Sequence, residues 1–406
     1  MRISTLNIFN TATNQLGTLQ SGIARTQMQL ATERRILTPA DDPVASARAL
    51  EVSQAQEMNA QFATNRMNAR SSLSHVETTL QDAGNLLQDI QQLAVNAGNG
   101  TMVLSDRQAL ATELEGRLED LLGVANTTDG SGGYLFSGYM ATTQPFTRTP
   151  GGAQYQGDQG QRQLQVGASR KLPLSASGSA VFEAIPTGNG SFQTQAAGAN
   201  TGAAVISSGS VTDRSQLNGH DYALSFTVTG TPAVTTYTVN DTSTTPPTAV
   251  LSNQPYEPGK TISFGGMSFD IKGAPANGDS FTVKPSEKQS VFTTVTDMIA
   301  ALRAPADGSS GKAALTNSLN TAMDNLKAAH DNVLTVQASM GAHLKELDYL
   351  DSAGDDLNIH YASTLSDLQD LDVVKAISDF QQQQTTLQAA QMSFKTMSGL
   401  SLFNYL

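Results

Sequence analysis

The sequence predicts a mainly α fold with a β-rich insertion, in which the N- and C-terminal halves build a long antiparallel helical bundle or coiled-coil rod and the insertion forms an outer β domain. Three observations carry this. Apolar residues recur by sevens at both ends: Phe9, Leu16, Ile23, Leu30 and Leu37 near the start, and Val373, Phe380, Leu387 and Phe394 near the end. A seven-residue apolar repeat marks a helix that packs lengthwise against other helices. Between residues 127 and 290 the chain turns to Gly, Ser, Thr and Gln with short alternating runs, the pattern of strands. Helical periodicity then returns, and neither half can bury its stripe alone, so the halves must meet.

Taken in order, residues 5–37 read as one helix, broken by Thr38-Pro39-Ala40-Asp41-Asp42-Pro43. Pro39 biases Thr38 away from the helical region, while Asp42 suits an N-cap and Pro43 a first helical position. From Val44 a long pattern follows, with Ala55, Phe62, Ala69, Val76, Ala83 and Ile90 by sevens and Leu73, Leu80 and Leu87 beside them, ending at Ala97-Gly98-Asn99-Gly100. A helix of ~55 residues is roughly 80 Å long at 1.5 Å per residue, which predicts a rod. Ser105 and Gln108 have capping-box spacing and open a third helix with Leu110, Leu114, Leu118 and Leu121 on its face. Strands are expected at Tyr222–Thr229, Thr236–Val239, Thr261–Ile271 and Ser280–Val283, with a hairpin around Phe264 and Met267. Residues 185–215 are poor in large apolar side chains and read as a loose loop. Residues 291–302 predict a short helix. A second long one runs from about Ala313 through Leu350, with Leu315, Leu319, Met323 and Leu326 on one face, and leads into the terminal sevens.

Charge narrows the function. The 406 residues carry a net charge of −12, the wrong sign for a phosphate-binding surface, so nucleic acid is not an expected partner. The excess is uneven. Residues 1–40 hold Arg2, Arg25, Arg34 and Arg35 against Glu33, whereas residues 345–406 hold nine acids against Lys345, Lys375 and Lys395. An antiparallel pairing of the two ends places Arg34 and Arg35 opposite Asp370 and Asp372, and these four are the expected register pair. With no cysteine there is no disulfide, thiol catalysis or Cys-based metal site. No apolar run approaches a membrane span, so membrane insertion is not expected. The start Met-Arg-Ile-Ser-Thr-Leu-Asn-Ile-Phe-Asn lacks the apolar core of a cleaved signal peptide.

Catalytic motifs are missing from the sequence. There is no P-loop and no HExxH, and Gly130-Ser131-Gly132-Gly133 lacks phosphate-binding spacing. His343 and Glu346, three apart on a helix, are accounted for by a solvated helix face. Asp351, Asp355 and Asp356 lack the alternating ligands of a calcium loop and read as a break between helices. Capping explains Asp41-Asp42-Pro43 better than a carboxylate dyad. No catalytic residue, cofactor or metal is expected, and the chain reads as an assembly protein rather than an enzyme.

Three stretches resemble a known family. Thr364-Leu-Ser-Asp-Leu-Gln-Asp-Leu-Asp, then Ala376-Ile-Ser-Asp-Phe-Gln-Gln-Gln-Gln-Thr-Thr-Leu-Gln-Ala-Ala-Gln and the finish Leu400-Ser-Leu-Phe-Asn-Tyr-Leu, resemble the flagellin-like family of flagellar hook-associated protein 3. Arg25 to Leu50, centred on Arg35-Ile-Leu-Thr-Pro-Ala-Asp-Asp-Pro, is similar to the stretch shared by flagellins and this junction protein. Gly133-Tyr-Leu-Phe-Ser-Gly-Tyr with Thr143-Gln-Pro-Phe resembles the family's turn into its outer domain. The resemblance covers roughly residues 1–147 and 290–406; residues 148–289 carry no identifying motif.

The resemblance implies three domains: terminal helices 1–38 with 369–406 in an inner tube-like domain, 39–147 with 290–368 in a helical rod, and 148–289 as the outer β domain. It implies an extracellular structural adaptor at the hook–filament junction of the bacterial flagellum, a ring of copies between hook-associated protein 1 and flagellin. Export would run through the flagellar type III channel with a cytoplasmic chaperone on the C-terminal region. The residues expected to pack between subunits are Phe9, Leu16, Ile23, Leu30, Val373, Ile377, Phe380, Leu387, Phe394 and Leu402. Two other readings stand beside it: a flagellin, and a binding module or enzyme within 148–289. The terminal sevens are expected to order fully only in the assembly, as marginal isolated helices do.

Overall fold

The structure is a computed structural model and describes residues 5–130 and 132–399. In chain order its helices are α1 (Thr5–Thr32), α2 (Pro43–Ala97), α3 (Leu104–Ala125), the short α4 (Gly178–Phe182), α5 (Val291–Arg303), α6 (Gly308–Gln369) and α7 (Val373–Gly399), with strands between Phe146 and Gln289. The chain divides into two compact units, Met1–Thr64 with Tyr349–Leu406 and Asn65–Asp348, and α2 and α6 contribute to both.

In the first unit α1 stops at Thr32, short of the predicted Leu37. Glu33 adopts the left-handed region at φ 57° and turns the chain out of the helix. Arg34 then forms an isolated antiparallel bridge with Asp370. On either side of it the Arg35 N–H donates to the Gln369 carbonyl at 2.7 Å and the Leu371 N–H to the Glu33 carbonyl at 2.9 Å. The Asp41 carboxylate accepts the Leu37 and Thr38 N–H groups, and Asp42 caps α2 by accepting the Ala45 N–H at 3.0 Å. These N–H donors hold both carboxyls below the usual carboxylate range. Within this unit α2 and α6 run antiparallel, with Gln56 bonded to Asn358 and the Asn59 amide to the Gly354 carbonyl at 2.7 Å. Helix α6 passes unbroken through Asp351, Asp355 and Asp356, contrary to the expected break. A run of acids without proline leaves the helical hydrogen bonds intact, and buried Gly354 packs against the α2 side.

The second unit has a helical core of strict register. Ala69, Leu73, Val76, Leu80, Ala83, Leu87, Ile90, Ala94 and Ala97 of α2 step by four and three and are all buried. Helix α6 contributes buried Leu319, Ala322, Leu326, Ala329, Val333, Met340 and Leu347. Antiparallel register is fixed at three levels by Arg70–Asp348 at 2.6 Å, Gln81–Gln337 at 3.0 Å and Gln88–His330 at 3.1 Å. Helices α3 and α5 pair through buried Leu114, Leu118 and Leu121, and Val295, Met298 and Leu302, with a two-pronged Arg303–Glu115 ion pair outside. The predicted capping box at Ser105 does not form. Helix α3 starts two residues earlier, capped at Val103, with the Asp106 carboxylate reaching back to the Val103 N–H and buried Arg107 donating to the Ala304 carbonyl at 3.0 Å.

An aromatic cluster joins this helical core to the strands. Phe146, in the hairpin Phe146–Thr149/Gly152–Tyr155, lies 5.1 Å from Tyr155, 5.7 Å from Phe182 and 5.0 Å from Phe292 on α5. Beyond it an antiparallel sheet runs in the order Thr248–Pro255, Val234–Asp241, Tyr222–Thr229, Ser280–Pro285, Phe192–Ala196. A second sheet contains the predicted hairpin Thr261–Phe264/Met267–Lys272, turned at Gly265 and Gly266 with φ 53° and 76°. Leu224, Phe226, Val239, Ile262, Phe269, Ile271, Phe281 and Val283 form one core between them. Residues 185–215, expected to be loose, are built into this region. Their backbone is held by polar side chains: Asp279 accepts the Thr201 and Gly202 N–H groups, and Asn317 of α6 bonds Ile206 and Ala204 as a strand would.

Candidate functional site

The terminal helices form one antiparallel coiled-coil seam. Phe9 and Phe394 meet with ring centroids 5.1 Å apart, Thr26 Oγ1 lies 3.1 Å from Gln383 Oε1, and the Arg34–Asp370 bridge closes the far end. The seam has two rows per helix. One row holds the predicted sevens, of which Leu16, Ile23, Leu30, Phe380, Leu387 and Phe394 are half-buried. The other row was not foreseen: half-buried Ala12 and Leu19 with buried Thr26 on α1, and buried Ala376 with half-buried Gln383 and Ala390 on α7. Its alternating four-and-three spacing with the first row is the signal that reveals it. Small side chains in this row let the helices approach, and the Thr26–Gln383 pair is the polar step within it. Gln383 alone of the run Gln381 to Gln384 enters the seam; the others are exposed, and α7 continues through them.

Three further candidate packing residues are exposed. Ile377 follows the seam position Ala376 and is 45% exposed, while Val373, the first residue of α7, is 40% exposed and Phe9 52%. Leu402 lies outside the described residues. Arg34, Arg35, Asp370 and Asp372 come together through backbone, not through the expected charge pairs. The Arg35 guanidinium donates to the Leu368 carbonyl at 2.7 Å and reaches Asp42, while Asp370 accepts from Ser366 and Asp372 from the Lys375 N–H. Short backbone bonds and caps satisfy these groups better than exposed ion pairs, which contribute about 0–1 kcal/mol. Met28, Val374 and Met392 add exposed apolar surface on the same two helices, Val374 at 81%.

Other ionisable groups have structural partners. Glu346 takes the Arg170 guanidinium of the hairpin Gln163–Gly167/Arg170–Pro173, which holds its carboxyl below the usual range. His220 pairs with Asp241 at 2.6 Å. Among the described residues no group of three or more His, Asp or Glu is placed to hold a metal ion, and no helix is long and apolar enough to cross a membrane.

Comparison with known proteins gives this arrangement its relatives. A family profile described as the bacterial flagellin N-terminal helical region matches residues 3–141. The crystal structure of flagellar hook associated protein-3 from Legionella pneumophila is 34% identical, with a TM-score of 0.74 over 78% of this chain and 98% of that one. The chain belongs to the flagellar hook-associated protein 3 family. Xanthomonas campestris FlgL is similar at 33% identity and a TM-score of 0.70, over 78% of this chain and 99% of that one. Flagellar hook-associated protein 3 of Escherichia coli (strain K12) is 29% identical over 404 residues, 99% of each chain. Residues 195–285 match a profile described as the flagellar hook-associated protein 1, D2-like domain. That relationship lies inside the insertion, where the sequence offered no motif, because its strands are held by scattered Asn, Asp and Gly turns. The relatives are structural proteins of the flagellum.

Proposed function

We propose that this protein is an adaptor at the hook–filament junction, linking hook-associated protein 1 to flagellin, with its copies joined in a ring through the terminal helices. The observation that carries the reading is the two-helix seam. Pairing α1 with α7 leaves most of the first row only half-buried and leaves Phe9, Val373, Val374, Ile377 and Met392 exposed on the same helices. Large apolar side chains left exposed along both helices of a seam are the property of an unfinished interface. Family membership supports placing that interface in the flagellum. On this reading residues 1–38 with 369–406 line an inner tube, 39–147 with 290–368 form the rod, and 148–289 the outer domain. The packing set is Phe9, Leu16, Ile23, Leu30, Val373, Ile377, Phe380, Leu387, Phe394 and Leu402. The protein leaves the cell through the flagellar export channel without signal cleavage, guarded by a cytoplasmic chaperone, and performs no catalysis.

Gene deletion tests the reading. An adaptor's loss leaves hooks in place and flagellin shed unpolymerised into the medium. Hooks that still carry filaments would overturn the proposal. A flagellin is the second reading, favoured by the flagellin profile over residues 3–141; a strain lacking only the filament subunit, with no flagellin shed, would support it.

A further inference from the structure

We propose that the β body of residues 188–286 is mounted on α6 by a releasable latch, Asn317 and Asp324. When the latch opens, the body swings on the two-stranded ribbon Ile185–Pro186/Lys288–Gln289. Three observations carry this. The first is that the body has an apolar core of its own. The buried side chains of that core, and the half-buried ones packed against them, all lie between Phe192 and Val283; among the described residues α5 and α6 contribute none. A body that shares no apolar core with its neighbour loses little hydrophobic stabilisation on moving away from it. The second is that α6 holds the body through polar side chains. Buried Asn317 accepts the Ile206 N–H at 3.0 Å and donates to the Ala204 carbonyl at 3.1 Å, and Asp324 accepts the Ser208 hydroxyl. Clefts flank these contacts. One, of about 410 Å³, is lined by Gln193 and Gln195 of the sheet and by Thr321 and Asn325 of α6. The other, of about 570 Å³, has Asn189 and Ser208 facing Asp324, Lys327 and Asp331. Water entering from these polar clefts can replace the latch's hydrogen bonds, so opening leaves no buried polar group unpaired.

The third observation is the joint. The ribbon pairs Pro186 with Lys288 and Ile185 with Gln289 and has no further strand on either side. Thr187 links the two arms once more, its N–H donating to the Glu287 carbonyl at 2.9 Å. A lone two-stranded ladder is the least rigid form of sheet, so bending concentrates there. Below the ribbon the chain is fixed to the helices. Asn332 donates to the Ala180 and Val181 carbonyls of α4 at 2.9 and 2.8 Å, and Phe182 lies 5.8 Å from Phe292 of α5. Asn325 stands at the pivot and accepts the Gly188 N–H at 2.9 Å. Along α6 the contacts therefore run from a fixed base at Asn332, through the pivot at Asn325, to the latch at Asp324 and Asn317. Asn317 lies about 12 Å along the helix from the pivot at 1.5 Å per residue, far enough for its two bonds to resist a swing about the ribbon.

The device does not depend on the role proposed above, and it is tested in the full chain. The sequence has no cysteine, so exposed Gln92 of α2 and exposed Ser252 of the strand Thr248–Pro255 can be changed to Cys and spin-labelled without competing thiols. Double electron–electron resonance then reads the distance from helix to body. With the latch intact one narrow distance distribution is expected. Asn317→Ala combined with Asp324→Ala should broaden it and add a second population. Hydrogen exchange of Tyr222–Thr229 and Ser280–Pro285 in the same variant should keep its original protection, because the body swings without unfolding. An unchanged distance distribution would overturn the proposal, since the two side chains would then hold nothing in place. Loss of protection in those strands would also overturn it, since the body would then depend on α6 for its fold.

Discussion

Replacing Thr26 by Val and Gln383 by Leu, singly and together, asks whether the polar step in the seam couples α1 to α7. Thr26 is 8% exposed, with its hydroxyl 3.1 Å from both Gln383 Oε1 and the Gly22 carbonyl. Removing one member of a buried hydrogen bond costs about 1–3 kcal/mol when the other is left unsatisfied. Neither member is fully orphaned here. In Gln383→Leu the Thr26 hydroxyl keeps Gly22, and in Thr26→Val the half-buried Gln383 amide still meets water. Each single cost should therefore sit near the net worth of one hydrogen bond, about 0.5–1.5 kcal/mol, with Gln383→Leu offset by the added apolar burial. The double variant should recover most of the loss, leaving a coupling of about 0.5–1.5 kcal/mol. Native-state hydrogen exchange of the α1 amides reads this as local opening free energy. A coupling below about 0.3 kcal/mol, within the error of additivity, would show that the contact does not join the helices.

Three further perturbations probe other parts of the argument. Leu387→Asp puts a charge into the seam and removes ~1.5–3 kcal/mol of apolar burial; it should abolish incorporation into flagella while proteolytic resistance of residues 148–289 persists, and normal incorporation would count against the seam. Leu80→Ala empties a fully buried α2 position and should lower the urea-unfolding stability of the second unit by about 2–5 kcal/mol. Burial raises the Asp324 carboxyl above its usual range despite the Ser208 hydroxyl and Lys327. The native state therefore holds its proton more tightly than the unfolded chain, and this contribution falls as pH rises from about 4 through the raised value. Glu115 and Glu346 are lowered and act oppositely, their stabilisation being lost as pH falls below about 4 toward their folded values. Asp324→Asn keeps an oxygen for Ser208 and should selectively remove the first trend. Identical pH–stability curves for the two proteins would refute it.

The contrast between rows shows what kind of information the chain carries in readable form. Phe9, Leu16, Ile23 and Leu30 announce a helix seam because each is large and apolar. Ala12, Thr26, Gln383 and Ala390 do not, because alanine is ambiguous and Thr and Gln look like solvent residues until their partners are seen. Arg34, Arg35, Asp370 and Asp372 illustrate the same limit for charge. Opposite signs at the two ends make antiparallel approach plausible, yet long-range attraction between exposed groups is screened within about 10 Å at 0.1 M salt. The contact is made instead by N–H donors at 2.7 and 2.9 Å around a residue in the left-handed region, a device that no side-chain pattern encodes. In the insertion, strands at Tyr222–Thr229 and Ser280–Pro285 alternate visibly, whereas Thr201, Gly202 and Ile206 take their backbone partners from the side chains of Asp279 and Asn317 in distant parts of the chain. Periodicity therefore exposes elements that bury a face of their own. Segments whose backbone is completed by remote polar groups stay hidden. The first row falls between these cases: it is as apolar as the core row of α2, where Leu73, Leu80 and Leu87 are 0% exposed, yet beside α7 Leu16, Ile23 and Leu30 stay partly exposed and Phe9 is 52% exposed. Equal apolar content with unequal burial is the physical reason to look for the missing cover in another copy of the chain.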